Sequence, residues 1–213
     1  MTRGLLLIVT ALSLTACEYE EVERETGYKG RARFQPWLAA ERFVQGMGGS
    51  VRSVMSWTPP VSTDAVWIMP AATLGNESFT RRMEQWVIGG GHLVLLVEHA
   101  DSETNDWFDF SITPALGPAL HPMLERAGIH IEKKAATVGE TTGGEIKFEG
   151  RVFKVKARSI LTVSRNGKDP GVFASASRGG GRITVLTDGR ILRNRWIGDL
   201  EHADLLVALI ESL

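Results

Sequence analysis

The hydrophobic pattern of residues 79–98 predicts the element around which the rest of the chain folds. Its first half has four apolar residues at helical spacing: Phe79, Met83, Trp86 and Val87. We expect the helix to end at Gly89-Gly90-Gly91, because glycine adopts the left-handed cap conformation without steric strain. Leu93 to Val97 is then a continuous apolar run, typical of a parallel strand buried on both faces. A helix, a glycine stop and a buried strand make half of a βαβ unit.

The remaining pattern alternates helices and strands first and turns to hairpins later. Further helices are predicted over 37–47, 120–127 and 201–213, and further strands over 51–57, 64–69, 129–131 and 183–187. Between 146 and 186 the apolar period becomes two, with turns at Glu149-Gly150 and Gly179-Gly180-Gly181 and, between 163 and 171, a loop that includes Asn166-Gly167. The sequence therefore predicts an α/β fold with a mainly parallel sheet and an antiparallel hairpin section.

Two glycine triplets precede similar apolar runs. Gly89-Gly90-Gly91 is followed by His-Leu-Val-Leu-Leu, and Gly179-Gly180-Gly181 by Arg-Ile-Thr-Val-Leu. A phosphate-binding loop would follow a strand and open a helix, which is the opposite order. We interpret both triplets as sharp turns that lead into core strands.

Composition narrows the class of protein. The chain has 213 residues, 43% of them hydrophobic and 23% charged, with a net charge of −1. These values fit one domain of ordinary size and give no indication of nucleic-acid binding. No internal segment is apolar over the roughly 18 or more residues that a membrane-spanning helix needs.

The N-terminus has the pattern of an export signal. Arg3 precedes an apolar segment from Gly4 to Leu14. Leu14-Thr15-Ala16-Cys17 resembles the lipobox of bacterial lipoproteins, which implies cleavage before Cys17 and acyl chains, such as palmitate, on that residue. An ordinary signal peptide or an uncleaved anchor with an incidental Cys17 is the alternative.

These features divide the chain into three parts. Residues 1–16 are the expected lipoprotein signal peptide, residues 17–27 an acidic tether and residues 28–213 a single α/β domain. Glu18 stands where inner-membrane lipoproteins usually have Asp, which slightly favours the outer membrane. The expected location is therefore the cell envelope, with the domain facing the periplasm.

Several motifs together resemble a bacterial domain family. They are Phe34-Gln35-Pro36, the segments Trp86–Val94 and Gly180–Asp188, Asn194, and the segment His202–Leu206. In combination they are similar to the DUF4350 family, over nearly all of the chain after the tether. The resemblance implies a fold of the flavodoxin and class I glutamine amidotransferase type, a three-layer sandwich, with no established activity.

The family resemblance also implies a membrane context. Members are membrane-anchored and are often encoded near MoxR-type ATPases and other envelope proteins. Many carry a transmembrane segment after this domain, whereas this sequence ends at Leu213. We therefore expect the lipid on Cys17 to be the anchor.

Polar residues follow the predicted parallel strands, where open α/β sheets bind ligands. This candidate ligand rim comprises Pro70, Asn76, His99, Asp101, Asp188, Arg190 and Asn194. The last three would offer an acceptor, a cation and an amide to a small polar ligand. Alternatively, Asp188 caps a turn and Asn194 satisfies loop backbone.

The sequence gives little indication of catalysis. An amidotransferase-like nucleophile would be a Cys at the turn after the central strand, but Val97-Glu98-His99-Ala100 has neither Cys nor Ser there. His99 with Asp101, or Glu98 with His99, could start a metal or acid–base site. The remaining histidines, His92, His121, His130 and His202, show no pairwise metal-ligand spacing, and no cofactor is expected. The leading hypothesis is a non-catalytic binding or scaffold component of an envelope assembly, contacting partners through the rim or through Trp107–Phe110. A periplasmic hydrolase using His99, Asp101 and Asp188, or a solute-binding component, is the alternative.

Overall fold

The structure, a computed structural model, describes residues 27–54, 62–100, 116–133 and 142–212. Its α-helices are α1 (Leu38–Gly46), α2 (Glu77–Ile88), α3 (Leu120–Arg126) and α4 (His202–Glu211). Its strands are β1 (Val66–Pro70), β2 (His92–Glu98), β3 (Ile129–Lys133), β4 (Thr142–Phe148), β5 (Arg151–Ala157), β6 (Leu161–Arg165), β7 (Lys168–Gly171), β8 (Phe173–Arg178) and β9 (Gly181–Asp188). Cys17, Asp101 and the Trp107–Phe110 patch lie outside the described residues.

A mixed four-stranded sheet is at the centre of the domain. Its strand order is β1-β2-β9-β8, with β1, β2 and β9 parallel and β8 antiparallel to β9. The strands that end near Met69, Val97 and Thr187 are therefore neighbours, as the sequence predicted. The mainly parallel character of this sheet and its α/β class are confirmed.

Both faces of the sheet are covered, which explains the continuous apolar run of β2. Every residue of β2 is buried. On one face Leu93, Leu95 and Val97 pack with α2, α3 and the separate antiparallel sheet β3-β6-β7. On the other face Val94 and Leu96 pack with α1, α4 and the β4-β5 hairpin. Within the described ranges, no helix is both long and apolar enough to cross a membrane.

The two glycine triplets meet at the amino ends of β2 and β9, which we call the amino edge. The Gly180 N–H donates to Ile88 O at 2.8 Å, and the Arg182 N–H donates to Gly91 O at 3.1 Å. A Cβ atom on Gly181 would lie 2.2 Å from the backbone oxygens of Gly91 and Val87. The repeated motif thus reflects a direct backbone contact between the two turns, which leaves no room for a side chain.

The hairpins follow the predicted turn chemistry, with two corrections. Glu149 and Gly150 have φ angles of 48° and 73°, as a two-residue type I′ turn requires. The Asn166-Gly167 pair makes an equally tight turn between β6 and β7, whereas the sequence suggested a longer loop. The predicted strand at 51–57 is wrong for residues 51–54, which are irregular; residues 55–57 lie outside the described part.

Candidate functional site

The candidate site is the carboxyl edge, where β1, β2 and β9 end together. Pro70 is aligned with Leu96, and Glu98 with Asp188, across neighbouring parallel strands. This alignment places the last residues of two buried strands side by side, each carrying a carboxyl group. The two carboxyl groups have different partners, and those partners decide what the edge can do.

Asp188 holds a buried ion pair with Arg190. Its Oδ1 accepts hydrogen bonds from the backbone N–H and the Nε of Arg190, both at 3.0 Å, and its Oδ2 accepts one from Arg190 Nη2 at 2.8 Å. Oδ2 also accepts a bond from the Arg158 N–H at 2.6 Å. Asp188 is 1% exposed and Arg190 7%. Four hydrogen bonds satisfy this carboxylate, so it is an acceptor already engaged by its own chain.

Glu98 is equally buried but poorly satisfied. It is 1% exposed, its Oε2 accepts a 3.2 Å hydrogen bond from the Ile160 N–H, and its Oε1 has no partner. Burial raises the pKa of Glu98 to about 7, and the negative charge of Asp188 contributes. The nearby Ser159 side chain, the Ile160 N–H and the positive charge of Arg190 oppose this rise, although the Ser159 hydroxyl itself donates to Leu161 O. Near neutral pH the group is therefore partly protonated.

Arg158-Ser159-Ile160 lies against the carboxyl edge and links the two faces of the sheet. Ala157, just before it, packs in the core around α4, and Leu161, just after it, packs in the core around α2. Besides the two backbone N–H donors to Asp188 and Glu98, the Arg158 carbonyl accepts a 3.0 Å hydrogen bond from Arg190 Nη2. Backbone groups of this loop thus contact the polar groups to which an open edge would bind a ligand.

The two rim asparagines hold neighbouring segments of the chain. Asn194 Oδ1 accepts from the Ala39 N–H at 2.8 Å, and its Nδ2 donates to Gln35 O at 2.8 Å and Ala32 O at 3.2 Å. Asn76 caps α2, with its Oδ1 accepting from the Phe79 N–H at 3.0 Å. These contacts are to the chain's own backbone, and for Asn194 that is one of the two interpretations that the sequence left open.

His99 occupies an unusual backbone position at the end of β2. Its φ is +53°, a conformation uncommon for residues other than glycine. Its carbonyl oxygen accepts a 3.0 Å hydrogen bond from Nη1 of Arg193, whose side chain is 3% exposed. Pro70 is half-buried and its carbonyl accepts from the Thr73 hydroxyl. The site thus brings together His99, Asp188 and Arg190, with Glu98 and Arg193 beside them.

Two other histidines are buried, and neither lies in a cluster of metal ligands. His92, at the amino edge, contacts Leu209 O through Nδ1 at 3.1 Å and the Thr184 hydroxyl through Nε2 at 2.8 Å. Burial lowers the pKa of His92 to about 4, and the charge of Arg182 adds to this. Burial also lowers the pKa of His202, whose Nε2 accepts from the Lys156 N–H. Across the described ranges, no group of three or more His, Cys, Asp or Glu residues could hold a metal ion.

Sequence reasoning missed Arg158 and Arg193 as parts of this edge. Arg158 lies between two strands, and nothing in a loop residue's type shows which backbone N–H donates to a distant carboxylate. Glu98 did carry a signal, since it is a charged residue at the end of a fully apolar strand. Burying a charge in that position costs free energy unless it has an oppositely charged or hydrogen-bonding partner.

Comparison with known proteins identifies the family of this chain but not its function. No curated protein matches it. Among solved structures, the mmIFT52 N-terminal domain is 12% identical, with 83% of this chain and 89% of that chain covered and a TM-score of 0.51. Exo-beta-1,4-mannosidase Op5Man5 from Opitutaceae bacterium strain TAV5 is 12% identical, with 98% and 37% covered and a TM-score of 0.47. Gan42B, a GH42 beta-galactosidase from G. stearothermophilus, is 16% identical, with 68% and 21% covered and a TM-score of 0.38.

These structural likenesses concern the fold alone, because the identities are so low. The two glycosidases fall below a TM-score of 0.5 and carry no argument. The match to a protein-family model is more informative. The model described as "Domain of unknown function (DUF4350)" matches residues 36–210. That span includes every described strand, α1 to α3 and all of α4 except its last residue. The protein therefore belongs to the DUF4350 family.

Proposed function

We propose that this protein is a lipid-anchored component of the bacterial cell envelope whose domain binds a partner and does not catalyse a reaction. Its fold is proposed to be a degenerate form of the class I glutamine amidotransferase type. The proposed anchor is the lipid on Cys17, and the proposed location is the periplasmic side of a membrane. The lipobox-like Leu14-Thr15-Ala16-Cys17 supports the anchor, and the carboxyl edge of the sheet supports the absence of catalysis.

The state of Asp188 is the observation that carries the non-catalytic proposal. A general base or a ligand-binding carboxylate needs a free lone pair directed at its substrate. Asp188 instead accepts three hydrogen bonds from Arg190 and one from the Arg158 N–H. Removing the Arg190 side chain would leave the Asp188 charge buried without its partner, so the arrangement favours a structural role.

A periplasmic hydrolase that uses His99, Asp101 and Asp188 is the second candidate. The positive φ of His99 favours it, because a strained turn after a central strand is where nucleophile elbows place a reactive side chain. Against it, the residue at this turn is a histidine instead of Ser or Cys, and Asp188 is already paired with Arg190. We therefore rank it below a binding role.

Metabolic labelling tests the anchor. The full chain, expressed in a bacterium fed labelled palmitate, is expected to incorporate the label and to sediment with membranes. Cys17→Ser should abolish the label, while Ser13→Ala, a change of similar size just before the Leu14–Cys17 motif, should not. Wild-type chain that is exported without any label would contradict the lipoprotein proposal.

Metal analysis tests the non-catalytic role separately. The detergent-purified wild-type chain is expected to contain no stoichiometric zinc or manganese. If it contains one metal per chain, and if His99→Ala and Asp188→Asn both lose that metal while remaining folded by circular dichroism, the hydrolase candidate replaces the binding role.

A further inference from the structure

The carboxyl edge of the parallel sheet is closed by the chain's own backbone. Arg158-Ser159-Ile160, which we call the strap, lies where ligands of open α/β sheets sit. It is fastened at three points: the Arg158 N–H to Asp188, the Arg158 carbonyl to Arg190, and the Ile160 N–H to Glu98. We propose that the strap is a releasable closure of this edge and that Glu98 controls its release.

The hydrogen bonds that hold the two ends of the strap differ in strength. Asp188 and Arg190 form a complete pair in which each carboxylate oxygen has two donors, so this end of the strap is held firmly. Glu98 holds the other end by one 3.2 Å hydrogen bond and keeps its second oxygen buried without a partner. Opening the Ile160 end would give that oxygen access to water, so the strap has a weak end and a strong end.

The environment of Glu98 makes the weak end sensitive to ionisation. Among the described residues, the charges that act on its carboxyl are those of Asp188, at the end of the adjacent strand, and of Arg190, two residues further on. Arg193 donates to the carbonyl of His99, the residue after Glu98, and Arg158 lies in the strap. With the strap closed, burial and Asp188 raise the pKa of Glu98 to about 7 from its ordinary 4.5. With the strap open, a hydrated Glu98 regains its ordinary pKa, so a rise in pH favours the open state.

The size of the effect follows from linkage. A group that titrates near 4.5 when open and near 7 when closed changes the opening equilibrium by roughly 70-fold between pH 5 and pH 8. The closed strap therefore dominates in acid, and opening increases as Glu98 ionises. Opening exposes the backbone N–H of Ile160, the Glu98 carboxylate and the adjoining face of Asp188, which is the edge that a partner or ligand would reach.

Hydrogen exchange on the full chain in detergent micelles tests the proposal. The protection factor of the Ile160 amide, corrected for the intrinsic pH dependence of exchange, is expected to fall roughly 70-fold from pH 5 to pH 8. The Gly180 amide, bonded to Ile88 O at the amino edge, is the internal control, and its protection should not fall over this range. An Ile160 protection factor that is constant with pH would overturn the proposal.

Glu98→Gln is the matched variant, because it keeps the shape of the side chain and removes its ionisation. In this variant the protection of the Ile160 amide should no longer depend on pH. A fall as large as that of the wild type would assign the effect to another group and overturn the role of Glu98. If the variant does not fold, the ¹³C shift of the Glu98 carboxyl in the wild type replaces it, and a midpoint below pH 5 would overturn the proposal.

Discussion

The amino and carboxyl edges of the parallel sheet are covered through different kinds of interaction. At the amino edge, two glycine turns touch through their backbones, and a Cβ on Gly181 would come within 2.2 Å of two carbonyl oxygens. At the carboxyl edge, the buried Asp188–Arg190 pair and Glu98 hold a loop by hydrogen bonds to its backbone. The first closure depends on the absence of side chains and the second on their charge, so different substitutions and different pH changes should break them.

Each edge has one buried group whose pKa is shifted far from its ordinary value, and the two shifts have opposite effects on stability as the pH changes. The pKa of His92 is lowered in the folded chain, so its contribution to stability is present above about pH 6.5 and is lost as the pH falls toward 4. The pKa of Glu98 is raised, so its contribution is present below about pH 4.5 and is lost as the pH rises through 7. Acid should therefore weaken the amino edge, and base the carboxyl edge.

The largest expected effect is that of Asp188→Ala, which would break the carboxyl edge. It leaves the Arg190 guanidinium, 7% exposed, without its carboxylate and removes an acceptor from the Arg158 N–H. Removing one member of a buried ion pair costs about 3–5 kcal/mol. Urea unfolding monitored by circular dichroism should show a loss of this size in the free energy of unfolding.

An exposed ion pair provides the matched control for this prediction. Arg81 and Glu77 are one helical turn apart on α2, and Arg81 Nη2 lies 2.6 Å from Glu77 Oε1. Their side chains are 69% and 78% exposed. Arg81→Ala should lower the free energy of unfolding by less than about 0.5 kcal/mol. Similar losses in Asp188→Ala and Arg81→Ala would mean that the carboxyl edge is not held together by its buried charges.

Acid should produce the next largest effect, and it should act at the amino edge. Below pH 6.5 an unfolded chain takes up a proton at His92 that the folded chain resists until about pH 4. At about 1.4 kcal/mol per pKa unit, this contributes a loss of about 3 kcal/mol between pH 7 and pH 4. Because carboxylates also titrate in this range, the measurement is the difference between wild type and His92→Gln in urea unfolding at both pH values.

The two variants should then behave differently with pH. His92→Gln retains a donor for Leu209 O and an acceptor for the Thr184 hydroxyl, but it does not titrate. Its stability should fall less than that of the wild type on acidification. Equal losses in the two chains would show that His92 is not buried as a neutral group at this edge.

The two edges also differ in how far the sequence predicted them. The amino edge was visible because its cause is local: a glycine triplet before an apolar run indicates a sharp turn into a buried strand, and Gly89–Gly91 and Gly179–Gly181 show it twice. That the two triplets contact each other follows from the pairing of β2 with β9, which no local pattern shows.

The carboxyl edge was predicted in position and only partly in composition. Parallel strands ending at Pro70, Glu98 and Asp188 were expected to meet, and they do. Whether Asp188 faces a ligand or its own chain depends on the donors around it. Those come from Arg190, two residues away, and from Arg158, thirty residues away. The second is fixed only by tertiary packing, so residue types alone left both interpretations open.

The smallest of the three effects is steric, and it tests the glycine contact at the amino edge. Gly181→Ala would place a methyl group 2.2 Å from Gly91 O and Val87 O, so backbone has to move, at a cost of about 1–3 kcal/mol. Gly46→Ala is the matched control, since nothing beyond its chain neighbours and the backbone of its own helix lies within 4 Å of its Cβ position, and alanine is preferred in a helix. Urea unfolding should show a loss only for Gly181→Ala, with the same loss at pH 5 and pH 8 because no charge is involved. A loss that varied with pH would mean that the glycine contact and the charged edge are coupled through β9, and that the two closures are one.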